Sequence, residues 1–331
     1  MYLEASYDLD GELLEATGRS ATRVSYWSLV PALRERRPKV LELNEAFQVN
    51  AWPIMALVSI WLAFTQRRTR PRIVFYAIEN LDPIESLRSR LRSTQRVAIL
   101  ILSLALRFVV PTPDRVCFGS QAAEENYRRR APNLVARAET RLIEALPAPT
   151  SSVQTAPEMA AIFVGSFEDR KSVLQTSEAF TLLARKHPDW CFTVAGKGPL
   201  QREVQSILNG GTVELRIDPP RAVVRDLIRR SSVLVLASRP TPRWKEQIGL
   251  PILEALAEGL TVVTTPDTGL ASWLSANGHY LTQSSPSGSQ IAKEVEKAII
   301  SPLPRAVVVS TLPAVDARIA ADTWMNGWDD A

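Results

Sequence analysis

Histidine and cysteine are nearly absent from this chain of 331 residues: His187, His279, Cys117 and Cys191 are all it has. No two of them stand at ligand spacing, so no zinc site is expected. The cysteines sit in strand-like runs, Arg115-Val-Cys-Phe118 and Trp190-Cys-Phe-Thr-Val194. They read as buried free thiols of a reducing compartment, not as a disulfide framework. The start, Met1-Tyr-Leu-Glu-Ala-Ser-Tyr-Asp8, has neither the basic opening nor the apolar core of a signal peptide. Long apolar runs are missing too. Ile54 to Phe64 and Val97 to Val110 fall short of the roughly 20 residues a bilayer demands, and Arg107 interrupts the second. Both read as buried helices. No G-x-G-x-x-G follows an early strand, which disfavours a dehydrogenase. The lone D-x-D, Asp8-Leu-Asp10, has no strand before it and reads as surface sequence, not a metal site. The net charge of +4 is mild, and apart from one local exception the lysines and arginines form none of the dense tracts of a nucleic-acid binder. A cytoplasmic protein without metal, cofactor or nucleic-acid partner is expected.

What is present is an alternation of strands and helices, over a length suited to about two domains. Apolar strands are expected at Ala161 to Gly165, Cys191 to Ala195, Val213 to Ile217, Val233 to Ala237 and Thr261 to Thr265, with helices between them. Val40 to Leu43, Arg72 to Ala77 and Asp114 to Gly119 repeat the theme upstream. Such alternation means right-handed βαβ units, parallel sheets, and ligands at the carboxyl ends of strands. Pro147 to Pro157 is the one long Pro/Ser/Thr stretch. The expected division is therefore a first Rossmann-like domain at 1–148, a linker at 149–158, a second such domain at 159–305, and a helical segment at 306–331 that can return to the first domain.

Within the second half, Glu246-Gln-Ile-Gly-Leu-Pro-Ile-Leu-Glu254 carries two carboxylates eight residues apart. Pro251 suits a first helical position, which puts Glu246 on the preceding loop and Glu254 in the first turn. Free N–H groups at Gly249, Leu250 and the following turn, with the positive end of the helix dipole, suit a phosphate. Carboxylates on either side suit sugar hydroxyls. An ordinary capped amphipathic helix accounts for the segment equally well.

Four stretches in order, Phe163-Val-Gly-Ser-Phe-Glu-Asp-Arg-Lys171, Ala195-Gly-Lys-Gly-Pro199, Val233 to Ser238 and Glu246 to Glu254, resemble the donor domain of retaining glycosyltransferases of family 4. The likeness spans residues 160 to 270. It implies a GT-B fold, two Rossmann-like domains around a cleft, and transfer of a sugar from a nucleotide-diphosphate sugar with retention and without metal. By position, Lys171 would bind the diphosphate, the Gly249–Pro251 backbone would hold it from the helix side, Glu254 would bind the ribose, and Glu246 the transferred sugar. Gly165 and Ser166 open the donor loop, and Gly196 and Gly198 would let the chain approach the nucleotide closely. Much of the family has an arginine where Ser166 stands. Arg170-Lys171 matches a branch in which an arginine directly precedes the lysine, and the two cations would then share the phosphate charge.

The acceptor side departs from the family. Where a histidine often closes a strand, this chain reads Ala77-Ile-Glu-Asn80, and the usual opening strand with its glycine-rich loop is missing. Glu79 and Asn80 either contact the sugar or acceptor or are simply turn formers before Asp82-Pro83. Gln66 to Arg72 and Arg88 to Arg96 are basic, and suit either a solvated face or peripheral contact with an anionic membrane or a polyprenyl-phosphate acceptor. His187 reads as a helix-end cap and His279 as a surface residue at a strand start. The expectation is a glycosyltransferase of polysaccharide or glycolipid assembly. A catalytically silent GT-B partner subunit or scaffold is the alternative. Nonhydrolysing epimerases share the fold, but their extra acid/base residues are not seen.

Overall fold

The computed structural model describes residues 2–3, 23–66, 69–150 and 158–328. Asp8, Asp10, Arg67, Arg68 and most of the expected linker lie outside them.

Two sheets dominate, both wholly parallel. The first runs β1 (Val40–Leu43), β2 (Arg72–Ala77), β3 (Arg115–Phe118) and β4 (Glu139–Leu142), in that spatial order. The second comprises β5 (Ala160–Val164), β6 (Cys191–Gly196), β7 (Glu214–Ile217), β8 (Val233–Leu236), β9 (Thr261–Thr264) and β10 (Tyr280–Leu281). Its spatial order is β10-β9-β8-β5-β6-β7. All four residues of β8 and of β9 are buried, as expected of central parallel strands covered on both faces. The chain reverses its direction of winding between β5 and β8. In an open α/β sheet this switch point leaves a crevice beyond the strand ends.

One face of the first sheet, including Ile73, Phe75 and Ala77, packs on the helices Tyr26–Arg36, Trp52–Ala63, Pro83–Leu91 and Gln95–Phe108. The alternate residues point the other way, and the C-terminal helix Ala317–Asn326 covers them. Ala321 and Met325 pack on Val74 and Cys117. Arg318 donates to Glu42 at 2.6 Å, and Arg115 to the carbonyls of Trp324 and Gly327 at 2.7 Å each. The Arg115 guanidinium lies 3.7 Å from the centroid of the Trp328 ring. The last helix of the chain thus completes the core of the first sheet.

Several local expectations need correction. Cys117 is buried, its thiol pushed up to about 11 by burial, but Cys191 opens β6 at its exposed end. His279 is buried rather than on the surface. Its Nδ1 accepts from the backbone N–H of Val262 at 3.0 Å, and burial holds its pKa down to about 4. Val97 to Val110 forms helix Gln95–Phe108 but buries only one side, through Ala98, Leu102 and Ala105.

Candidate active site

The loops leaving β5 and β8 meet at the switch point, and each carries part of one cluster. After β5 the chain forms a short 3-10 turn at Asp169–Lys171, and Ser172, with φ 51°, opens helix Val173–Lys186. That turn sends Lys171 inward. Its Nζ pairs with Oε2 of Glu246, and Ser238, just beyond β8, donates to the same oxygen at 2.7 Å. Glu246 is only 7% exposed, so this is a nearly buried ion pair held by a third group. Arg170 is directed differently. Glu168 grips it in a two-point fork at 2.7 and 2.9 Å, and its guanidinium stacks 4.4 Å from the centroid of Trp244. The Lys171 ammonium lies 5.0 Å from the same ring. Trp244 therefore organises both cations, and the sequence reading missed it. The only signal was an aromatic residue in a loop otherwise read through its charges.

Gly249 caps the following helix with φ 81°, so the helix spans Leu250–Ala257. Pro251 occupies its second position, not its first, and Glu254 lies beyond the first turn. The positive φ at Gly249 starts the helix one residue early, and proline costs nothing there because the first helical N–H groups have no intrahelical acceptor. Glu254 reaches Arg221 at 3.0 Å on the neighbouring helix. That pair is largely exposed and contributes little stability. Glu254→Ala should therefore leave the melting temperature unchanged. If the carboxylate holds a ribose, the substitution should weaken nucleoside-diphosphate binding by roughly 1.5–3 kcal/mol. Calorimetry reads both quantities, and unchanged affinity would reduce Glu254 to a helix-face residue.

Gly196 and Gly198 have a local duty in packing. A Cβ on Gly196 would come within 1.9 Å of the Gly165 carbonyl, and one on Gly198 within 2.6 Å of the Phe167 carbonyl. Phe167 donates its N–H to Lys197 at 2.7 Å and accepts from Leu200 at 3.0 Å. These glycines let the loops after β5 and β6 pack on one another, so close approach to a ligand is not needed to explain them. Gly165, with Ser166 next to it, leads this contact from the β5 side. Lys197 pairs with Asp218, away from Glu246.

Across the cleft stands the turn after β2. Asn80 donates through Nδ2 to the carbonyls of Glu246 and Asp267, both at 3.0 Å. Oε2 of Glu79 accepts from Gln247 at 3.0 Å. Gly269 passes so close that a Cβ there would meet the Gln247 carbonyl at 2.0 Å and Ser120 at 3.2 Å. The tertiary structure thus brings Lys171, Glu246, Glu79 and Asn80 together, with the Gly249–Pro251 segment following on the same loop. Glu254 and Arg170 sit at the edges.

Beneath this turn lies Glu45, which the sequence reading did not single out. It is 1% exposed, and accepts from the N–H groups of Ile78 and Glu79, both at 3.1 Å, and from the Tyr127 hydroxyl at 3.2 Å. Burial, then the nearby Glu79, push its carboxyl up to about 8; burial also raises Glu79. A carboxyl raised in the folded state favours folding fully below its unfolded pKa near 4.5, and that contribution is lost as pH rises toward 8. Thermal stability should therefore fall between pH 5 and 8.5 more steeply in the wild type than in Glu45→Gln. Parallel pH profiles of melting temperature would contradict this.

Beside Glu79 opens a cavity of about 500 Å³, whose polar lining includes Asn44, Gln48, Asn50, Arg90 and Arg243. Arg243 comes from the second domain and holds Ser89 of the first at 2.8 and 3.0 Å. Among the described residues, no group of three or more His, Cys, Asp or Glu side chains is placed to hold a metal ion.

Two parallel-sheet domains meeting at the carboxyl edges of their strands, with a charged cluster at the switch point of the second, make this a GT-B fold. Residues 158–300, most of the second domain, match the model of the family described as Glycosyl transferases group 1. Among solved structures, Anabaena HepE in complex with UDP is 15% identical, with a TM-score of 0.63 over 94% of this chain and 84% of that one. WaaG, a glycosyltransferase involved in lipopolysaccharide biosynthesis, is 16% identical, with a TM-score of 0.56 over 78% of each chain. Sucrose-phosphate synthase from Thermosynechococcus elongatus is 17% identical, with a TM-score of 0.54 over 92% of this chain and 77% of that one. At these identities the likeness is one of fold. No curated protein matches the chain in sequence.

Proposed function

We propose that the protein transfers a sugar from a nucleotide-diphosphate sugar to a glycan or lipid-linked acceptor, with retention of configuration and without a metal. The observation that carries this reading is the Lys171–Glu246–Ser238 cluster at the switch point, faced by Glu79 and Asn80 of the other domain. As the bond from the sugar to the diphosphate breaks, negative charge grows on the departing phosphate. Lys171, supported by Arg170, and the N–H groups at Gly249 and Leu250 are suited to stabilise that charge. Glu246 would accept hydrogen bonds from hydroxyls of the transferred sugar. Glu254 would hold the ribose. Glu79, its carboxyl raised by burial, borders both the cluster and the cavity of about 500 Å³, which suits the acceptor. The amide and arginine lining of that cavity suits a hydroxylated, anionic partner.

Screening nucleotide sugars by thermal shift tests the proposal, because a ligand bound only to the folded state raises the melting temperature by mass action. A cognate donor should do so and be turned over, with chelator making no difference. Complete inhibition by chelator would overturn the metal-free account. One observation favours the silent alternative: Lys171 and Arg170 are each already paired, with Glu246 and Glu168. Donor binding with neither transfer nor slow hydrolysis, even with membranes supplied, would decide for a nucleotide-binding subunit or scaffold.

A further inference from the structure

Helix Gln95–Phe108 turns three residues, Ala98, Leu102 and Ala105, into the core and leaves a flank of its exposed side apolar as well. Val97, Leu100, Leu104 and Phe108 stand at i, i+3, i+7 and i+11, a single stripe along the helix, and all are exposed, Phe108 by 65%. Ser59 donates to the Val109 carbonyl at 2.9 Å, which fixes the end of helix Trp52–Ala63 beside the end of this stripe. Ile60 and Phe64 are exposed there, Phe64 by 82%. Scattered apolar residues on a surface need no explanation, but a contiguous set of this size marks an interaction site.

The charges around it indicate the partner. From Ser86 to Pro113 the chain has five arginines, at 88, 90, 92, 96 and 107, and no acidic residue. Arg96 and Arg107 fall directly beside the stripe on the helical wheel. A cavity of about 580 Å³ adjoins it, with Ser103, Leu106, Arg107, Asn133 and Arg137 in its lining. A second copy of this chain would meet like charge here. An apolar stripe edged by cations, with a cation-lined recess beside it, matches an anionic bilayer surface.

We infer that this face docks on an anionic lipid leaflet, with the stripe lying in the interface and the recess receiving a lipid phosphate. No described helix is long and apolar enough to cross a membrane, so the contact is peripheral. Helix Pro83–Leu91 lines the cavity beside Glu79 through Pro83, Ser86 and Arg90, and leads directly into the basic turn before the stripe. Docking therefore brings that cavity near the leaflet. The inference stands independently of the transfer reaction, since it concerns a surface away from Lys171 and Glu246.

Sedimentation of the full chain with vesicles tests it. Vesicles of phosphatidylglycerol and phosphatidylcholine should bind at least tenfold more tightly than phosphatidylcholine alone. Added salt should weaken binding, because exposed charges are screened within about 10 Å at 0.1 M. The pair Leu100→Asp and Leu104→Asp, and separately Arg96→Glu with Arg107→Glu, should each reduce binding at least tenfold. Nucleotide affinity and melting temperature, measured alongside, report that the variants fold. Absence of binding to anionic vesicles, or binding indifferent to both variants, overturns the inference. So does full competition by millimolar inorganic phosphate, which would make the recess a free-anion site. A concentration-dependent dimer lost in the leucine variant would give the stripe to a second copy of the chain instead.

Discussion

Lys171→Ala should lower turnover by about two to three orders of magnitude, the usual cost of removing a preorganised group that faces developing charge. It should also destabilise the fold by about 3–5 kcal/mol, because the Glu246 carboxylate would be left nearly buried with the neutral Ser238 hydroxyl in place of a cation. The two effects can be separated. In the double variant Lys171→Ala, Glu246→Gln the uncompensated charge is gone, so the stability should largely return while turnover stays low. Steady-state kinetics with the donor found by thermal shift, together with denaturant melts, measure both. Recovery of turnover in the double variant would make the pair a structural ion pair and nothing more.

Glu246→Ala should lose about a hundredfold or more in turnover, yet keep most of its affinity for free nucleoside diphosphate. The contrast follows from the geometry. Glu246 lies between Lys171 and the Asn80 turn, on the loop before the helix, whereas Glu254 lies on the far side of the helix start beside Arg221. On the proposed reading, a carboxylate in the first position would touch the transferred sugar, and that sugar is absent from a nucleoside diphosphate. Calorimetry and turnover assays on the same preparation check the split. Equal losses in binding and turnover would place Glu246 at the nucleotide instead, and unchanged turnover would remove it from the reaction.

The strands of the second domain were legible. Its strands fall within a residue or two of their expected positions, because central parallel strands are uninterrupted apolar runs bounded by glycine, proline and polar turns. The first domain was less legible. Helix Gln95–Phe108 was expected to be buried because its residues are apolar, but composition does not say which side of a helix has a partner. His279 and Cys191 were misassigned for a related reason. Each sits at a strand start, where a single residue of register decides between core and solvent.

The parallel α/β architecture, the presence of two domains and the loops of the candidate site were readable from the residues alone, since all three follow from local periodicity and turn residues. How those loops meet is a matter of tertiary packing. Packing paired Lys171 with Glu246 over 75 residues of chain, slid Trp244 beneath both cations, and set Glu79 and Asn80 against the Glu246 loop from another sheet. It also placed Glu45 under that turn and sent the last helix back to complete the first core. These contacts depend on strand order and domain closure, which are properties of packing between distant segments and leave no periodic trace along the chain.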